Sequence, residues 1–242
     1  EIGSGSGIKT ELLVEAGLAA GSLARVTVFD VAEAFLQESA ARMQQRWPML
    51  GVSAVVGDFT KDLQRLGPGK RRLLVFLAGT IGNLAPQECS QFLTDVQGLL
   101  GPEDAMLLGV DLIKDPVRLT AAYDDAAGVT AAFNLHILNV INRRFDGDFE
   151  PDDFRHVAVW NAELNRIEMR LRAVRSVTAR VASTGVTLRL PEGSDLLTEL
   201  SCKYSKPLLT HRLKAAGLRL DGWTTDEAGL FGLAVIKSAV PT

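Results

Sequence analysis

Apolar and polar residues follow a helical pattern and a strand-like pattern in turn along the first half of the chain. Apolar residues recur at helical spacing in the stretches 8–20, 32–46 and 87–100. Short runs rich in apolar and β-branched residues separate them, at 25–30, 52–56, 73–77 and 105–110. Strands that alternate with helices over short connections predict an α/β fold, a parallel sheet with helices on both faces. In the first helix, the residues expected on the buried face are Leu12, Leu13, Ala16 and Ala20.

The pattern changes after about residue 112, where helices and strands no longer alternate. Helices are expected near 117–126 and 130–144, and β-like segments near 156–160, 166–173 and 186–190. A last helix at 206–216 precedes two strands, 218–223 and 231–237, that predict a closing hairpin. We therefore expect one domain made of residues 1–111 and 199–242, with residues 112–198 inserted as a subdomain.

The composition favours a small molecule over nucleic acid or a membrane as the partner. The chain has 242 residues, and its 26 basic and 29 acidic side chains give a net charge of −3 without a basic footprint. No apolar run reaches the roughly 20 residues that span a bilayer. The spacing of Cys89 and Cys202, and of the histidines, matches no metal or redox motif. We expect reduced thiols and no metal site, in a monomeric cytoplasmic protein.

The chain begins inside a glycine-rich loop, Glu1-Ile2-Gly3-Ser4-Gly5-Ser6-Gly7. Such a loop normally follows a strand, so we expect that an N-terminal segment is missing. Glycines before a helix let a ligand approach the backbone and the free N–H groups of the first helical turn. Position 8 is Ile where the dinucleotide fingerprint needs glycine, which disfavours a nucleotide-dependent dehydrogenase. An ordinary Gly/Ser turn is the alternative.

Acidic residues follow the next two predicted strands. Asp30 ends the second strand of the fold, where a carboxylate can accept both hydroxyls of a ribose. Asp58 and Phe59 follow the third strand, where they could bind an adenine amine and pack on its ring. The alternatives are a helix N-cap for Asp30 and an ordinary Gly-Asp turn for Asp58. Because ligands of open α/β sheets bind outside the carboxyl ends of the strands, we expect these residues to line one crevice.

A loop of small residues follows the next predicted strand. It reads Ala78-Gly79-Thr80-Ile81-Gly82-Asn83-Leu84 and leaves room for a donor and an acceptor to meet. The amide of Asn83 is a candidate polar anchor there. The alternative is a glycine turn in which Asn83 caps the following helix.

Several sequence blocks, taken together, point to one family. They are Gly-Ser-Gly-x-x-x-Lys-Thr at 3–10, Thr-Ile-Gly-Asn-Leu at 80–84, Asp-Leu-x-Lys-Asp at 111–115, Ala-Tyr-Asp-Asp-Ala-Ala-Gly-Val-Thr-Ala-Ala-Phe-Asn at 122–134, Arg-Ile-Glu-Met at 166–169 and Leu-Thr-Glu-Leu-Ser-Cys-Lys-Tyr at 197–204. In these blocks, and in order along essentially all of its length, the chain resembles the histidine-specific methyltransferases of ergothioneine biosynthesis. The 122–134 and 197–204 blocks are the most specific.

The resemblance implies a Rossmann-like class I methyltransferase sheet, with 112–198 as a substrate-binding α+β subdomain. It implies transfer of methyl groups from S-adenosylmethionine to the α-amine of L-histidine, giving the trimethylated betaine hercynine. The residues that it implies for the methyl-donor site are Gly3, Lys9, Asp30, Asp58 and Phe59. It also implies that an N-terminal helical segment, which this chain lacks, covers the substrate.

For the substrate, the resemblance places Asn83 and Tyr123, the candidate catalytic residues, on the α-amino and α-carboxylate groups. It places Glu199 and Ser201 on the imidazole, with Met169 near that ring. A carboxylate such as Glu199 can accept from an imidazole N–H, and a buried carboxylate needs such a donor.

Purely structural roles are the alternative for these side chains. Glu199 could instead pair with Lys203 or an arginine, and Tyr123 could be an ordinary half-buried helical tyrosine. At the level of function, two alternatives also remain. One is an N-methyltransferase for another aromatic amino acid, and the other is a donor-binding module without catalysis.

Overall fold

The computed structural model describes residues 1–67, 69–77 and 79–239 of the chain. The chain divides into two compact units, which we call the first unit (Glu1–Leu112 with Tyr204–Thr242) and the second unit (Ile113–Lys203). The boundary expected after residue 198 falls inside a strand of the second unit, Asp195–Cys202, that the sequence pattern did not indicate.

Within the described residues, the chain forms α-helices and β-strands whose bounds agree closely with most of the predicted ones. In chain order they are α1 (Ile8–Ala19), β1 (Arg25–Asp30), α2 (Glu33–Arg46), β2 (Gly51–Val56), β3 (Leu73–Phe76), α3 (Pro86–Leu99), β4 (Ala105–Asp111), α4 (Pro116–Tyr123), α5 (Val129–Phe145), β5 (Phe154–Asn161), β6 (Arg166–Ala173), β7 (Val177–Val181), β8 (Val186–Leu190), β9 (Asp195–Cys202), α6 (Lys206–Ala215), β10 (Leu218–Thr225) and β11 (Phe231–Ser238). Short 3₁₀ helices occur at Leu63–Leu66, Thr80–Asn83 and Pro151–Asp153.

The first unit has the parallel α/β sheet that the sequence predicts. β1 pairs in parallel with β2, and β3 pairs in parallel with β4. β11 runs antiparallel to β4 and forms the predicted hairpin with β10. The α/β expectation is confirmed.

The first residues of the chain join the two groups of strands in this unit. Ile2 is 2% exposed and forms a parallel bridge with Phe29 of β1. Its N–H donates to the carbonyl of Val75 in β3 at 2.8 Å, and the carbonyl of Glu1 accepts from the N–H of Phe29 at 2.8 Å. The order across the sheet is therefore β2, β1, residues 1–2, β3, β4, β11, β10.

The buried face of α1 is not the one that the sequence suggested. The helix buries Thr10 and Val14, whereas Leu12 is 65% exposed. Apolar residues lie all around this helix, so their spacing does not define one face. The start of the helix packs closely on α2, because a Cβ on Gly7 would lie 2.1 Å from the Oγ of Ser39.

The second unit combines two helices with antiparallel strands. Within its described residues, β6 lies between β5 and β9, and β7 pairs with β8. The strands β7 and β9 are additions to the predicted set. Its apolar core consists of Leu138, Phe149, Phe154, Leu171, Ala173, Val177, Ala179 and Val181.

Gly7→Ala is expected to lower the free energy of unfolding by about 1–3 kcal/mol more than Gly21→Ala does. Both glycines have positive φ, +70° and +62°, so both substitutions strain the backbone. A Cβ on Gly21 meets nothing within 4 Å, whereas one on Gly7 overlaps the side chain of Ser39. Urea unfolding followed by tryptophan fluorescence measures both losses, and equal losses would contradict the close packing of α2 on the loop.

Candidate active site

The residues predicted to bind the methyl donor all follow carboxyl ends of parallel strands in the first unit. Asp30 is the last residue of β1 and lies opposite Val56, the last residue of β2. Asp58 lies two residues after the end of β2, and the loop that contains Gly79 and Asn83 follows β3. Because parallel strands end at one edge of a sheet, these residues belong to the same edge of the first unit.

The glycine loop provides an open backbone surface at that edge. Gly3, Gly5 and Gly7 have φ values of +65°, +51° and +70°, which side chains rarely adopt. A Cβ on Gly5 would meet nothing within 4 Å, so the space above this residue is free among the described residues. Lys9 is exposed in the first turn of α1. Gly3 and Lys9 are both exposed at this loop, and their contact with a methyl donor stays a prediction.

Asp30 links the first strand to the glycine loop. Its Oδ2 accepts from the N–H of Gly5 at 2.9 Å, and its Oδ1 accepts from the N–H of Ala32 at 2.9 Å. The helix α2 begins at Glu33 with Ala32 as its N-cap residue, so Asp30 is not the cap that the sequence left possible. A carboxylate has about four acceptor positions, and two of those on Asp30 remain for a ligand.

The start of the loop also contains a buried oxygen that lacks a partner. Oε2 of Glu1 has no hydrogen-bond partner among the described residues, and burial raises the pKa of this carboxyl to about 7. A buried carboxyl in this state favours a cationic or hydrogen-bond-donating ligand. The sequence analysis did not single out Glu1.

Asp58 bonds largely within its own turn. Its Oδ1 accepts from the N–H and the hydroxyl of Thr60, at 2.9 and 2.7 Å, and these bonds hold its pKa below the usual range. Its Oδ2 lies 3.6 Å from Nζ of Lys61. The turn alternative is therefore realised in this structure, and binding of an adenine amine by Asp58 stays a prediction.

Phe59 is held by an aromatic cluster that the sequence did not indicate. Its ring centre lies 5.1 Å from that of Phe76 and 5.9 Å from that of Phe92. The ring of Phe59 is half-buried, so the cluster fixes its orientation while part of it stays accessible. This geometry suits a platform on which an aromatic ligand ring packs.

Asn83 is exposed at the end of the short helix Thr80–Asn83. It does not cap α3, because Ala85 occupies that position and the N–H of Ala85 donates to Glu88 at 2.8 Å. The amide of Asn83 is thus available to a ligand. Ala78, in the same loop, lies outside the described residues.

In the second unit, three polar side chains meet where the sequence predicted a substrate site. The hydroxyl of Tyr123, the last residue of α4, donates to Oγ of Ser201 in β9 at 2.8 Å. Nζ of Lys203 donates to the Tyr123 oxygen at 2.8 Å and to Oγ of Ser201 at 2.9 Å. Tyr123 is half-buried at the end of its helix, as the structural alternative also expects, and its hydroxyl is part of a polar cluster. We call these three residues the hydroxyl–lysine cluster.

Glu199 lies on the same strand, two residues before Ser201, so both side chains point to one face of β9. Met169 of β6 lies directly opposite Glu199 and is 3% exposed. Burial raises the pKa of Glu199 above its ordinary value, and the nearby ammonium of Lys203 partly opposes this rise. The predicted imidazole-binding residues are thus neighbours on one strand face.

A histidine that the sequence analysis did not assign holds the end of α4. Nδ2 of Asn134 donates to Nδ1 of His156 at 2.8 Å. Because an amide nitrogen only donates, the ring proton of neutral His156 is on Nε2, which donates to the carbonyl of Tyr123 at 2.7 Å. His156 and Lys203 therefore both position Tyr123, and a lone His or Lys in a sequence carries no signal for such a role.

Comparisons with known proteins identify the family of this chain. The sequence model of the family described as histidine-specific, S-adenosylmethionine-dependent methyltransferases matches residues 1–238. The chain belongs to this family.

Two similar proteins are named as histidine methyltransferases. The chain is 46% identical to a histidine N-alpha-methyltransferase of Mycobacterium tuberculosis and 45% identical to one of Mycolicibacterium smegmatis. Each comparison covers 97% of this chain and 73% of the relative.

Solved structures share the fold of this methyltransferase at low sequence identity. The CcbJ methyltransferase of Streptomyces caelestis has a TM-score of 0.55 at 15% identity, over 99% of this chain and 82% of that one. An S-adenosylmethionine-dependent methyltransferase of Clostridium acetobutylicum has a TM-score of 0.54 at 10% identity, over 99% and 82%. These likenesses confirm the class I methyltransferase fold.

Other features of the described residues concern the thiols and the helices. Cys89 and Cys202 are buried, and no disulfide joins them among the described residues. No helix in the part of the chain that the structure describes has both the length and the apolarity to cross a bilayer.

Asp30→Asn is expected to raise the Kd of S-adenosylhomocysteine about tenfold or more, because hydrogen bonds to a charged group are stronger than those to an amide. The amide oxygen still accepts one backbone N–H, which limits damage to the loop. Asp221→Asn, on the exposed β10–β11 hairpin, is the control and should change the Kd by less than about twofold. Calorimetry measures both, and an unchanged Kd for Asp30→Asn would contradict a ribose-binding role.

Proposed function

We propose that this methyltransferase transfers methyl groups from S-adenosylmethionine to the α-amino nitrogen of L-histidine, and that successive transfers give the trimethylated betaine. The observation that carries the proposal is the pair of Glu199 and Ser201 on one face of β9. A half-buried carboxylate and a hydroxyl at this spacing suit the two nitrogens of an imidazole. The family and the names of the relatives support the same substrate.

The residues of the first unit fit the methyl donor. The unpartnered Oε2 of Glu1 suits the ammonium group of a methionine moiety, and the open surface at Gly5 leaves room for its backbone-like atoms. In this proposal Asp30 accepts the ribose hydroxyls, and Gly3 and Lys9 complete the loop. Phe59 packs on the adenine, while Asp58 binds its amine. When bound, the donor supplies a methyl group on a positively charged sulfur.

The residues of the second unit select the histidine ring. Glu199 accepts from one ring N–H, Ser201 binds the other nitrogen, and Met169 packs against the ring. Burial makes this arrangement selective, since a partly desolvated carboxylate without a donor is costly. An amino acid without a ring N–H leaves Glu199 unpaired and is therefore disfavoured.

Asn83 and Tyr123 orient the α-amino group. The amine lone pair forms a bond to the methyl carbon while the bond from carbon to sulfur breaks, and its electron pair neutralises the sulfonium. The amine then releases a proton to solvent before the next transfer. Because the pKa of an α-amine lies below that of a lysine side chain, its neutral form is accessible without a strong base. Alignment is the main contribution of the protein, and it supplies up to about 7–11 kcal/mol in well-oriented reactions.

Incubation of the full-length protein with S-adenosylmethionine and a panel of amino acids tests the proposal. Mass spectrometry is expected to find methylated histidine, with mono-, di- and trimethylated products appearing in succession. Methylation of tryptophan or tyrosine in preference to histidine would assign a different amino-acid substrate. Donor binding without any methylated product would indicate a non-catalytic module.

Glu199→Ala is expected to raise the Kd of histidine at least about tenfold, because a charge-assisted hydrogen bond is lost. The Kd of S-adenosylhomocysteine should change by less than about twofold. Glu192→Ala, an exposed glutamate between β8 and β9, is the matched control and should leave both constants unchanged.

The histidine affinities of the wild type and of Glu199→Ala are expected to depend differently on pH. The carboxylate of Glu199 accepts the ring N–H above its raised pKa and is protonated below it. The difference in histidine affinity between the wild type and Glu199→Ala should therefore shrink as the pH falls through this pKa. A difference that is constant at acidic pH would argue against Glu199 as the acceptor.

A further inference from the structure

Lys203 is unusually buried for a lysine. It is 1% exposed, although lysine is almost never fully buried unless it is paired. Its Nζ donates to the hydroxyl oxygens of Tyr123 and Ser201, at 2.8 and 2.9 Å. The same Nζ lies 4.7 Å from the centre of the Tyr123 ring. Two of the predicted substrate residues thus accept hydrogen bonds from one buried ammonium group.

The bonds of the cluster have fixed directions. An ammonium group can only donate, so both oxygens accept from Lys203. The hydroxyl of Tyr123 donates its hydrogen to Ser201, in keeping with the greater acidity of a phenol. The Oγ of Ser201 thus accepts from Lys203 and from Tyr123, and both of its acceptor positions are filled. The hydrogen of Ser201 is left to donate to another group, while Tyr123 can only accept from another group.

We propose that Lys203 is a positioning residue that makes Ser201 a hydrogen-bond donor, and Tyr123 an acceptor, towards the substrate. The proposal rests on the proposed function. It adds that the site binds one of the two neutral tautomers of the imidazole selectively. Ser201 donates to the unprotonated ring nitrogen, and Glu199 accepts from the protonated one. The acceptor role of Tyr123 places it on the α-amine, whose N–H donates, and not on the α-carboxylate, which cannot donate.

Without Lys203, one acceptor position on Ser201 and one on Tyr123 become empty. The hydrogen of Ser201 could then turn to the Tyr123 oxygen, and a lone pair of Ser201 would face the ring nitrogen. The site would lose its preference for a ring that contains an acceptor nitrogen. The residues proposed for the donor site belong to the first unit, whereas Lys203 belongs to the second.

Substrate selectivity in variants tests this idea. The probes are L-histidine and a pyrrolylalanine whose ring keeps the N–H for Glu199 but has C–H in place of the nitrogen that faces Ser201. Calorimetry in the presence of S-adenosylhomocysteine gives the Kd of each probe, and their ratio is the selectivity. The wild type should favour histidine at least about 100-fold. In the complex with the analogue, the hydroxyl of Ser201 faces a C–H group and has no acceptor for its hydrogen.

Lys203→Met keeps the length of the side chain and removes its donors, and should lower the selectivity about tenfold. Ser201→Ala should lower it by at least as much, and the double variant should be no less selective than Ser201→Ala alone. The Kd of S-adenosylhomocysteine should stay within about twofold of the wild type. Lys214→Met, an exposed lysine on α6, is the matched control and should leave the selectivity unchanged.

An equal loss of affinity for both probes in Lys203→Met, or losses that add in the double variant, would overturn the proposal. Neutron diffraction of wild-type crystals tests it without any variant. The deuterium of Tyr123 should lie between its oxygen and Ser201, and a Ser201 deuterium that points to Tyr123 would also overturn it. A wild type that does not bind histidine would instead refute the proposed function, and the neutron result would still decide the hydrogen-bond directions.

Discussion

The pairing of the first residues of the chain with β1 and β3 is the constraint on which the donor site depends. Ile2 is buried, and the backbone of residues 1–2 bonds to Phe29 on one side and Val75 on the other. This pairing fixes where the chain leaves the sheet, and the glycine loop starts at that point. The bond from Gly5 to Asp30 then ties the loop to the end of β1. These few backbone contacts place the glycine loop beside Asp30 at the carboxyl end of β1.

Much of the first unit could be predicted from the sequence, for a physical reason. Strands of a parallel sheet are covered on both faces, so runs such as Leu73–Leu77 are continuously apolar and easy to recognise. The buried face of α1 was predicted wrongly, because apolar residues surround that helix and their spacing does not define one face. The strand β9 was missed, because the polar side chains of Glu199 and Ser201 interrupt its apolar pattern.

The candidate site could be predicted only in part. The glycine loop and Asp30 follow from the general rule that α/β sheets bind ligands at their carboxyl ends. The roles of Tyr123, Glu199 and Ser201 came from a family resemblance, since their spacing in the sequence carries no signal. The partners that position them, Lys203 and His156, are residue types that usually lie on a surface. Only the folded second unit shows that both are engaged with Tyr123.

The central claim is that the first unit binds the methyl donor at its strand ends and that β9 of the second unit binds the ring of histidine. A crystal structure with S-adenosylhomocysteine and L-histidine bound tests this most directly. The account predicts ribose hydroxyls within hydrogen-bond distance of Asp30, and an imidazole whose two nitrogens contact Glu199 and Ser201. An imidazole bound elsewhere, with Glu199 and Ser201 both free of ligand, would contradict it.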